Sequence, residues 1–299
     1  MEEEALKYLQ PSVVAQITSM ELRARFVVEG FITGLHRSPY HGFSVEFSEH
    51  RQYMPGDDVK RIDWKVFGKT DRFYIKQYEE ETNVKAYLVL DASRSMAFAS
   101  AGMISKFQYA SYLAAALAYL MVEQRDAVGL TLFDESIRLS LPPRGTKSYL
   151  KQILIELERA VPSNSTLITN ALNALAEQIR RRGLVIVLSD LFDDPTQILL
   201  ALKHFRHKGN EVLVMHVLDP LERSFAFGAD AQFKDMETGE LLPTQPWHIQ
   251  RAYRETMKEY LESIQQSCRD ASIDYVLMDT SVPFDVALLE YLHKRKQLQ

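Results

Sequence analysis

Short apolar runs alternate with longer amphipathic segments through most of the chain. Runs of about four to eight apolar residues predict buried strands, and longer segments with apolar residues three or four positions apart predict helices. The predicted strands lie at residues 84–90, 127–133, 136–141, 184–189, 211–218 and 274–278, and the predicted helices at 106–124, 146–160, 168–182, 195–207 and 248–267. Buried strands that alternate with helices are typical of parallel sheets covered on both faces. We therefore expect an α/β fold with a doubly wound, mainly parallel sheet.

The amino-terminal part of the chain has a different pattern. Residues 4–35 predict helix, and residues 40–78 alternate over short stretches separated by the turn-forming clusters "MPGDD" and "KTD". We expect a small strand-rich unit preceded by a helix over residues 1–82, followed by the α/β domain over residues 83–299. Inside that domain, residues 219–246 predict a hairpin with its turn at "ETGE".

Composition and charge narrow the class of protein. Of the 299 residues, 46% are hydrophobic and 25% are charged, which is ordinary for a globular protein. The net charge of -5 argues against nucleic acid as the main partner. The only cysteine, Cys268, cannot form an internal disulfide, and the acidic start "MEEEALKYLQ" is unlike an export signal. Because the apolar runs are shorter than the ~20 residues that span a membrane, we expect a cytoplasmic protein without direct membrane insertion.

One predicted strand ends in an acid followed by two spaced hydroxyls. The stretch "LVLDASRSMAF", residues 88–98, places Asp91, Ser93 and Ser95 at the end of an apolar run. Asp and Ser are preferred at helix N-caps, so a cap is one interpretation. A cap needs one acceptor, whereas this loop offers three oxygen side chains, and hard cations such as Mg²⁺ prefer oxygen ligands. Since ligands of open α/β sheets bind at the carboxyl ends of strands, we favour a metal site.

The same loop resembles a known metal site. "DASRS" is similar to the D-x-S-x-S loop of the von Willebrand factor A domain, whose metal-ion-dependent adhesion site takes further ligands from a later threonine and a later aspartate. "STLITNAL" resembles the threonine loop and points to Thr166, and "VIVLSDLFDD" resembles the strand that ends in the second aspartate, Asp190. The resemblance implies that Asp91, Ser93, Ser95, Thr166 and Asp190 bind Mg²⁺ or Mn²⁺.

Two nearby residues are alternatives within this set of ligands. Thr169 could take the place of Thr166, and Asp193 could take the place of Asp190. Thr166 and Asp190 could each also cap the helix that follows them, because Thr and Asp are both suited to N-caps.

The segment that precedes the α/β domain resembles one bacterial family. Residues 34–82, "GLHRSPYHGFSVEFSEHRQYMPGDDVKRIDWKVFGKTDRFYIKQYEEET", are similar to domain of unknown function fifty-eight, whose signature R-x-Y-x-x-G-D-D-x-x-x-I-D-W precedes a von Willebrand-like strand. Its members are typically encoded beside MoxR-type AAA+ ATPases, which implies such an ATPase and a client protein as partners. Gly68 and Lys69 stand where that family often has an alanine-arginine pair, so the resemblance carries no role for that arginine.

The stretch "MPGDDVKRIDWK" allows two interpretations. It predicts a tight Pro-Gly turn followed by Ile62 and Trp64 on one side of the chain. We favour structural packing, with ion pairs between three arginines and three acids, and a recognition surface is the alternative. The residues of these ion pairs are Arg51, Arg61, Arg72, Asp57, Asp58 and Asp63.

Two functions are compatible with these features. The first is a metal-dependent protein–protein interaction module that couples the ATPase to assembly or maturation of client complexes, without enzymatic turnover of its own. The alternative is a Mg²⁺-dependent phosphohydrolase with Asp91 as nucleophile. Haloacid dehalogenase-like phosphatases place a second aspartate two residues after the nucleophile as general acid. Position 93 here is a serine, which cannot act as a general acid at neutral pH, and this disfavours the alternative. Residues 142–148, "PPRGTKS", lack the adjacent Gly-Lys-Ser/Thr of a P-loop, so we expect no ATP hydrolysis by this chain.

Overall fold

The structure, a computed structural model, describes most of the chain. The described residues are 10–37, 50–52, 67–68, 72–76, 84–163, 168–227, 231–234, 241–244, 246–285, 288–289, 291 and 293. They divide into two units, one within Met1–Gly34 and Val84–Gln299 and the other within Leu35–Asn83. The amino-terminal helices therefore group with the α/β unit, whereas the sequence placed them with the strand-rich segment.

The two amino-terminal helices are α1 (Pro11–Val14) and α2 (Met20–Arg37). Helix α1 begins at Pro11, whose fixed φ angle suits the first helical position. Helix α2 has buried residues three or four positions apart, which form one apolar face: Met20, Ala24, Val27, Val28 and Phe31. The guanidinium of Arg23 lies 4.6 Å from the ring centre of Tyr112 in the α/β unit. These buried and stacked contacts are the reason that α2 groups with that unit.

The second unit contains two described strands, β1 (His50–Gln52) and β2 (Tyr74–Lys76), which pair antiparallel. The rings of Phe67 and Phe73 stack with their centroids 4.4 Å apart. The expected small strand-rich unit is therefore confirmed. The "MPGDDVKRIDWK" stretch, residues 54–65, lies outside the described residues, so both interpretations of it stay predictions.

Strands and helices of the α/β unit follow the predicted order. The remaining strands are β3 (Lys85–Asp91), β4 (Ala127–Phe133), β5 (Ile137–Arg144), β6 (Leu184–Ser189), β7 (Glu211–Leu218), β8 (Ala231–Lys234), β9 (Leu241–Thr244) and β10 (Asp274–Asp279). The remaining helices are α3 (Lys106–Glu123), α4 (Lys147–Arg159), α5 (Ile168–Gln178), α6 (Pro195–His207), α7 (Pro220–Ser224) and α8 (Pro246–Asp270). Strands β8 and β9 pair antiparallel as the predicted hairpin, and its "ETGE" turn lies outside the described residues.

Six of the described strands form the main sheet, in the order β10-β7-β6-β3-β4-β5. Neighbouring strands are parallel except β4 and β5, which are antiparallel. This confirms the predicted α/β fold with a doubly wound, mainly parallel sheet. The chain builds outward from β3 to β5 on one side and from β6 to β10 on the other. The carboxyl ends of β3 and β6 therefore form a topological switch point, which is where such sheets bind ligands.

The two strands at the switch point are buried at the centre of the sheet. Every residue of β6 is buried, and β3 is buried from Leu88 to its end at Asp91. A strand covered on both faces is an unbroken apolar run, which is the pattern that predicted both strands. Edge strand β5 instead alternates between half-buried and exposed residues. The polar ends of β3 and β6 are thus carried by strands that are buried in the middle of the sheet.

Helix α3 packs against the sheet and is buried almost from end to end. Its amino terminus has a capping box, in which the Ser105 side chain accepts from the Gln108 backbone and the Gln108 side chain accepts from the Ser105 backbone. The apolar residues of α3 cover the sheet. None of the helices in the described parts of the chain is both long and apolar enough to cross a membrane.

Candidate metal site

Asp91 is a fully buried carboxyl group at the carboxyl end of β3. Its Oδ1 atom accepts the backbone N–H of Ser93 at 2.9 Å, and its Oδ2 atom accepts the hydroxyl of Ser189 at 2.6 Å. Burial and the nearby charge of Asp190 raise the pKa of Asp91 to about 7, although both serines favour the ionised form. The fold thus holds two buried carboxyl groups close together.

Ser93 and Ser95 lie together beside Asp91. Ser93 precedes a short 3-10 helix, Arg94–Ala97, but its side chain makes no capping hydrogen bond. The hydroxyl groups of Ser93 and Ser95 are 3.1 Å apart and share one hydrogen bond. The capping interpretation therefore does not account for the Ser93 side chain.

Asp190 follows β6 directly and is fully buried. Its Oδ1 atom accepts the backbone N–H of Phe192 at 3.4 Å, and its Oδ2 atom lies 2.7 Å from the Nζ atom of Lys106. The N-cap of α6 is instead Asp194, whose side chain accepts the backbone N–H of Thr196 at 2.8 Å. The interpretation of Asp190 as a helix cap is therefore wrong.

The predicted set of metal ligands also includes a threonine, for which Thr166 and Thr169 are the two candidates. Thr166 lies outside the described residues. The backbone N–H of Ser163 bonds the carbonyl of Ala92 at 2.9 Å, so the chain three residues before Thr166 contacts the Asp91 loop. Thr169 lies in the first turn of α5, and its buried Oγ1 atom has no hydrogen-bond partner among the described residues.

Asp193, the alternative to Asp190, is engaged locally. Its Oδ1 atom accepts the backbone N–H of Asp194 at 2.7 Å, and its side chain is only half-buried. Asp190 is fully buried and close enough to Asp91 to raise the pKa of that carboxyl group. Asp190 is therefore better placed than Asp193 to bind a metal together with Asp91.

Two charged residues that the sequence did not indicate lie beside Asp190. The Nζ atom of Lys106, the first residue of α3, lies 2.7 Å from Asp190 Oδ2 and 2.6 Å from Glu222 Oε1. Burial lowers the pKa of Lys106, but the charges of Asp190 and Glu222 outweigh burial and raise it overall. The same Nζ atom lies 4.7 Å from the ring centre of Phe192. The charge of one carboxylate at the switch point is thus already balanced by an internal cation.

Glu222 is held in place by the short helix α7. The Asp219 side chain caps this helix by accepting the backbone N–H of Leu221 at 2.8 Å, and Glu222 Oε2 accepts the backbone N–H of Asp219 at 3.1 Å. Asp219 also accepts both the backbone N–H and the hydroxyl of Ser100. The loop after Asp91 and the loop after β7 are therefore tied together.

Behind Asp190, a buried histidine supports the backbone of the loop. The Nε2 atom of His216 lies 2.7 Å from the Asp190 carbonyl, and its Nδ1 atom lies 2.7 Å from the Tyr275 hydroxyl. Burial lowers the pKa of His216 to about 4, so the ring is neutral at neutral pH. Because a carbonyl only accepts, Nε2 carries the proton and Nδ1 accepts from Tyr275. The Tyr260 hydroxyl donates to the carbonyl of Leu191, the next residue along the chain.

The chemistry of the donor set fits a hard divalent cation. Asp91 supplies a carboxylate, Ser93 and Ser95 supply neighbouring hydroxyls, and Asp190 supplies a second carboxylate nearby. Hydroxyl groups provide much of this set, and the described residues contain no group of three or more His, Cys, Asp or Glu side chains arranged to hold a metal. Lys106 contacts Asp190 and Glu222, and no ion pair of Asp91 is found among the described residues. A cation at Asp91 would therefore supply a missing countercharge.

The fold and the site define an α/β protein with an acid-and-hydroxyl loop at the switch point of its sheet. The family described as "Protein of unknown function DUF58" matches residues 49–266. The chain belongs to this family. Sequence relatives include uncharacterized protein Rv1480 of Mycobacterium tuberculosis and uncharacterized protein Mb1516 of Mycobacterium bovis. Each is 27% identical over 232 residues, which cover 77% of this chain and 72% of the relative.

Two solved structures are similar to this chain at low identity. The conserved hypothetical protein BatB from Bacteroides thetaiotaomicron is 21% identical with a TM-score of 0.48, over 72% of this chain and 99% of that chain. An aerotolerance-related membrane protein from Bacteroides fragilis is 22% identical with a TM-score of 0.48, over 71% of this chain and 99% of that chain. Similarity of this extent carries no argument about function or location.

Proposed function

We propose that this protein is a metal-dependent protein–protein interaction module whose site is Asp91, Ser93, Ser95, Thr166 and Asp190. The observation that carries the proposal is the burial of Asp91 beside Asp190, with the hydroxyls of Ser93 and Ser95 3.1 Å apart in the same loop. Burying two carboxyl groups together is costly unless a cation or a proton balances them. A Mg²⁺ or Mn²⁺ ion is the partner that this oxygen-rich site suits.

Each residue has a distinct role in this proposal. Asp91 is the charged ligand, and Ser189 orients it through a hydrogen bond of 2.6 Å. Ser93, Ser95 and Thr166 contribute neutral oxygens, so they leave much of the ion's charge uncompensated. When bound, the ion would offer its residual charge and an open coordination position to a carboxylate of another protein.

The partner and the setting rest on the family resemblance. Members of this family are typically encoded beside MoxR-type AAA+ ATPases, and we propose such an ATPase and a client protein as the partners. The module would couple ATP-driven work to assembly or maturation of the client in a chaperone-like role. We propose a cytoplasmic setting, without nucleic acid and without direct insertion into membranes.

The geometry favours binding over the alternative of phosphate-ester hydrolysis. A nucleophilic aspartate has to be ionised and has to reach the phosphorus atom of its substrate. Asp91 is fully buried, and both of its oxygens accept hydrogen bonds from within the chain. Ser93 stands two residues after Asp91, where haloacid dehalogenase-like phosphatases have their general acid, and a serine cannot take that role at neutral pH. An assay with a generic phosphate ester and Mg²⁺ separates the two functions.

The proposal is tested by measuring affinity for the MoxR-type ATPase encoded beside this protein. Wild type and Asp91→Ala are each compared with Mg²⁺ and with a chelator, and thermal melts verify folding. We expect a loss of about tenfold or more for Asp91→Ala, which is ~1.4 kcal/mol. The chelator should reproduce this loss in wild type and add little in the variant, because both treatments remove the same contact. Equal affinity in all four conditions would refute the metal-dependent contact.

A further inference from the structure

The ammonium group of Lys106 has two carboxylate partners that differ in position. Its Nζ atom lies 2.7 Å from Asp190 Oδ2 and 2.6 Å from Glu222 Oε1. The Lys106 and Asp190 side chains have no exposed surface, and that of Glu222 is 14% exposed. Asp190 belongs to the candidate metal site, whereas Glu222 belongs to α7. Lys106 therefore joins the metal site to a second acid outside it.

Helix formation does not explain a buried lysine at this position. Lys106 is the first residue of α3, where the positive end of the helix dipole disfavours a cation. Complete burial of an ammonium group adds a further cost unless the group is paired. Since both effects oppose Lys106, its two carboxylate partners account for its place in the structure.

Glu222 is positioned independently of Asp190. Its Oε2 atom accepts the backbone N–H of Asp219 at 3.1 Å within the capping box of α7, while Oε1 faces Lys106. Glu222 can therefore remain paired with the Lys106 ammonium group when Asp190 binds another cation. Two acids share one lysine, and only Asp190 belongs to the candidate metal site.

We propose that Lys106 is an internal counter-ion that competes with the divalent cation for Asp190 and thereby weakens its binding. This inference rests on the metal site proposed above and adds a regulating residue to it. Like charges close to one another repel, so a divalent cation near Asp91 and Asp190 is disfavoured by Lys106. Glu222 lessens that repulsion because it draws the ammonium group away from Asp190. Metal binding is then coupled to the α7 loop through the exchange of Lys106 between two acids.

The test is calorimetric titration with Mg²⁺ of wild type and of the double variant Lys106→Met/Glu222→Gln. The double variant removes one positive and one negative charge, so the net charge of the protein does not change. We expect its Kd for Mg²⁺ to be about tenfold lower or more, because Asp190 no longer has a competing partner. Adding Asp91→Ala to the double variant should abolish the heat, which places the binding at this site. Lys147→Met, which removes an exposed lysine at the start of α4, should leave the Kd unchanged.

The single substitution Glu222→Gln is expected to change the Kd for Mg²⁺ in the opposite direction. Glu222→Gln leaves Lys106 with Asp190 alone, so the ammonium group competes more strongly and the Kd for Mg²⁺ rises. Glu255→Gln is the matched control, because it removes one exposed acid on α8 and changes the net charge equally. Circular dichroism shows whether the double variant folds. If it does not, the comparison of Glu222→Gln with Glu255→Gln still tests the proposal.

The outcomes separate the two proposals. A lower Kd in the double variant and a higher Kd in Glu222→Gln support the competition. Binding by the double variant when wild type does not bind also supports it. An unchanged Kd in folded variants would overturn the role of Lys106 and leave the metal site standing. Absence of Mg²⁺ binding by both wild type and the folded double variant would contradict the metal site itself, and this inference with it.

Discussion

The Nζ atom of Lys106 lies 2.7 Å from Oδ2 of Asp190, and neither side chain has any exposed surface. Removing one partner of a buried pair leaves the other charge uncompensated, which typically costs about 3–5 kcal/mol. We therefore expect Lys106→Met to lower the free energy of unfolding by about that amount in urea titrations. Lys147→Met breaks an exposed pair with Glu123 and should change it by less than about 1 kcal/mol. Similar effects of the two substitutions would show that the buried pair is not formed.

Asp91→Asn is expected to stabilise the metal-free protein, and more at pH 8 than at pH 5. Burial and Asp190 raise the pKa of Asp91 to about 7 from its ordinary value of 3.8. Between these two values the folded protein retains a proton that the unfolded chain releases, so wild type loses stability as the pH rises. The amide removes this loss, which has an upper bound of about 4 kcal/mol. Thermal melts at both pH values measure the difference, and a gain that is larger at pH 5 would contradict the raised pKa.

Asp219→Ala should be more destabilising than removal of an ordinary helix cap. Asp219 caps α7 and also accepts both the N–H and the hydroxyl of Ser100. Losing the cap costs about 1 kcal/mol. The half-buried donors of Ser100, left unpaired, add a cost at or below the lower end of the about 1–3 kcal/mol typical of buried donors. Asp194→Ala, which removes the exposed cap of α6, is the control and should cost only about 1 kcal/mol. Equal losses in denaturant titrations would mean that Asp219 does no more than cap its helix.

The single cysteine, Cys268, should be almost unreactive in the folded protein. It is 1% exposed, and burial raises the pKa of its thiol to about 11. Since the thiolate is the reactive form, we expect a thiol reagent at pH 8 to react roughly 100-fold more slowly with native than with denatured protein. Rapid labelling without denaturant would show that α8, which carries Cys268, opens readily from the sheet.

The fold was predictable because the buried strands are unbroken apolar runs. The prediction for β4 matches the structure at both ends, and β3 differs from its prediction by one residue. The position of Asp91 at a strand end followed directly from that pattern. The helix breaks were less predictable, since residues 4–35 predicted helix, whereas the described part of this segment contains two helices, α1 (Pro11–Val14) and α2 (Met20–Arg37).

Lys106 and Glu222 were missed because their contact is between distant parts of the sequence. The sequence did contain one indication of Lys106. A lysine at the first position of an apolar helix interacts unfavourably with the positive end of the helix dipole, which implies an acidic partner. The partner itself could not be inferred, because Glu222 lies on a short helix after β7 that the sequence did not predict. His216, a polar residue within the apolar run of β7, was a comparable signal of a buried hydrogen-bonded group.

In the proposed metal site, Asp91 and the two serine hydroxyls hold a divalent cation. The most direct measurement is a crystal structure of the protein with Mn²⁺, using anomalous scattering to locate the ion. We expect a single strong peak at the carboxyl ends of β3 and β6, with Asp91, Ser93 and Ser95 oxygens at metal-ligand distances, and no such peak in Asp91→Ala. Well-ordered wild-type crystals without a peak beside Asp91, or with the ion bound elsewhere, would rule out this metal site.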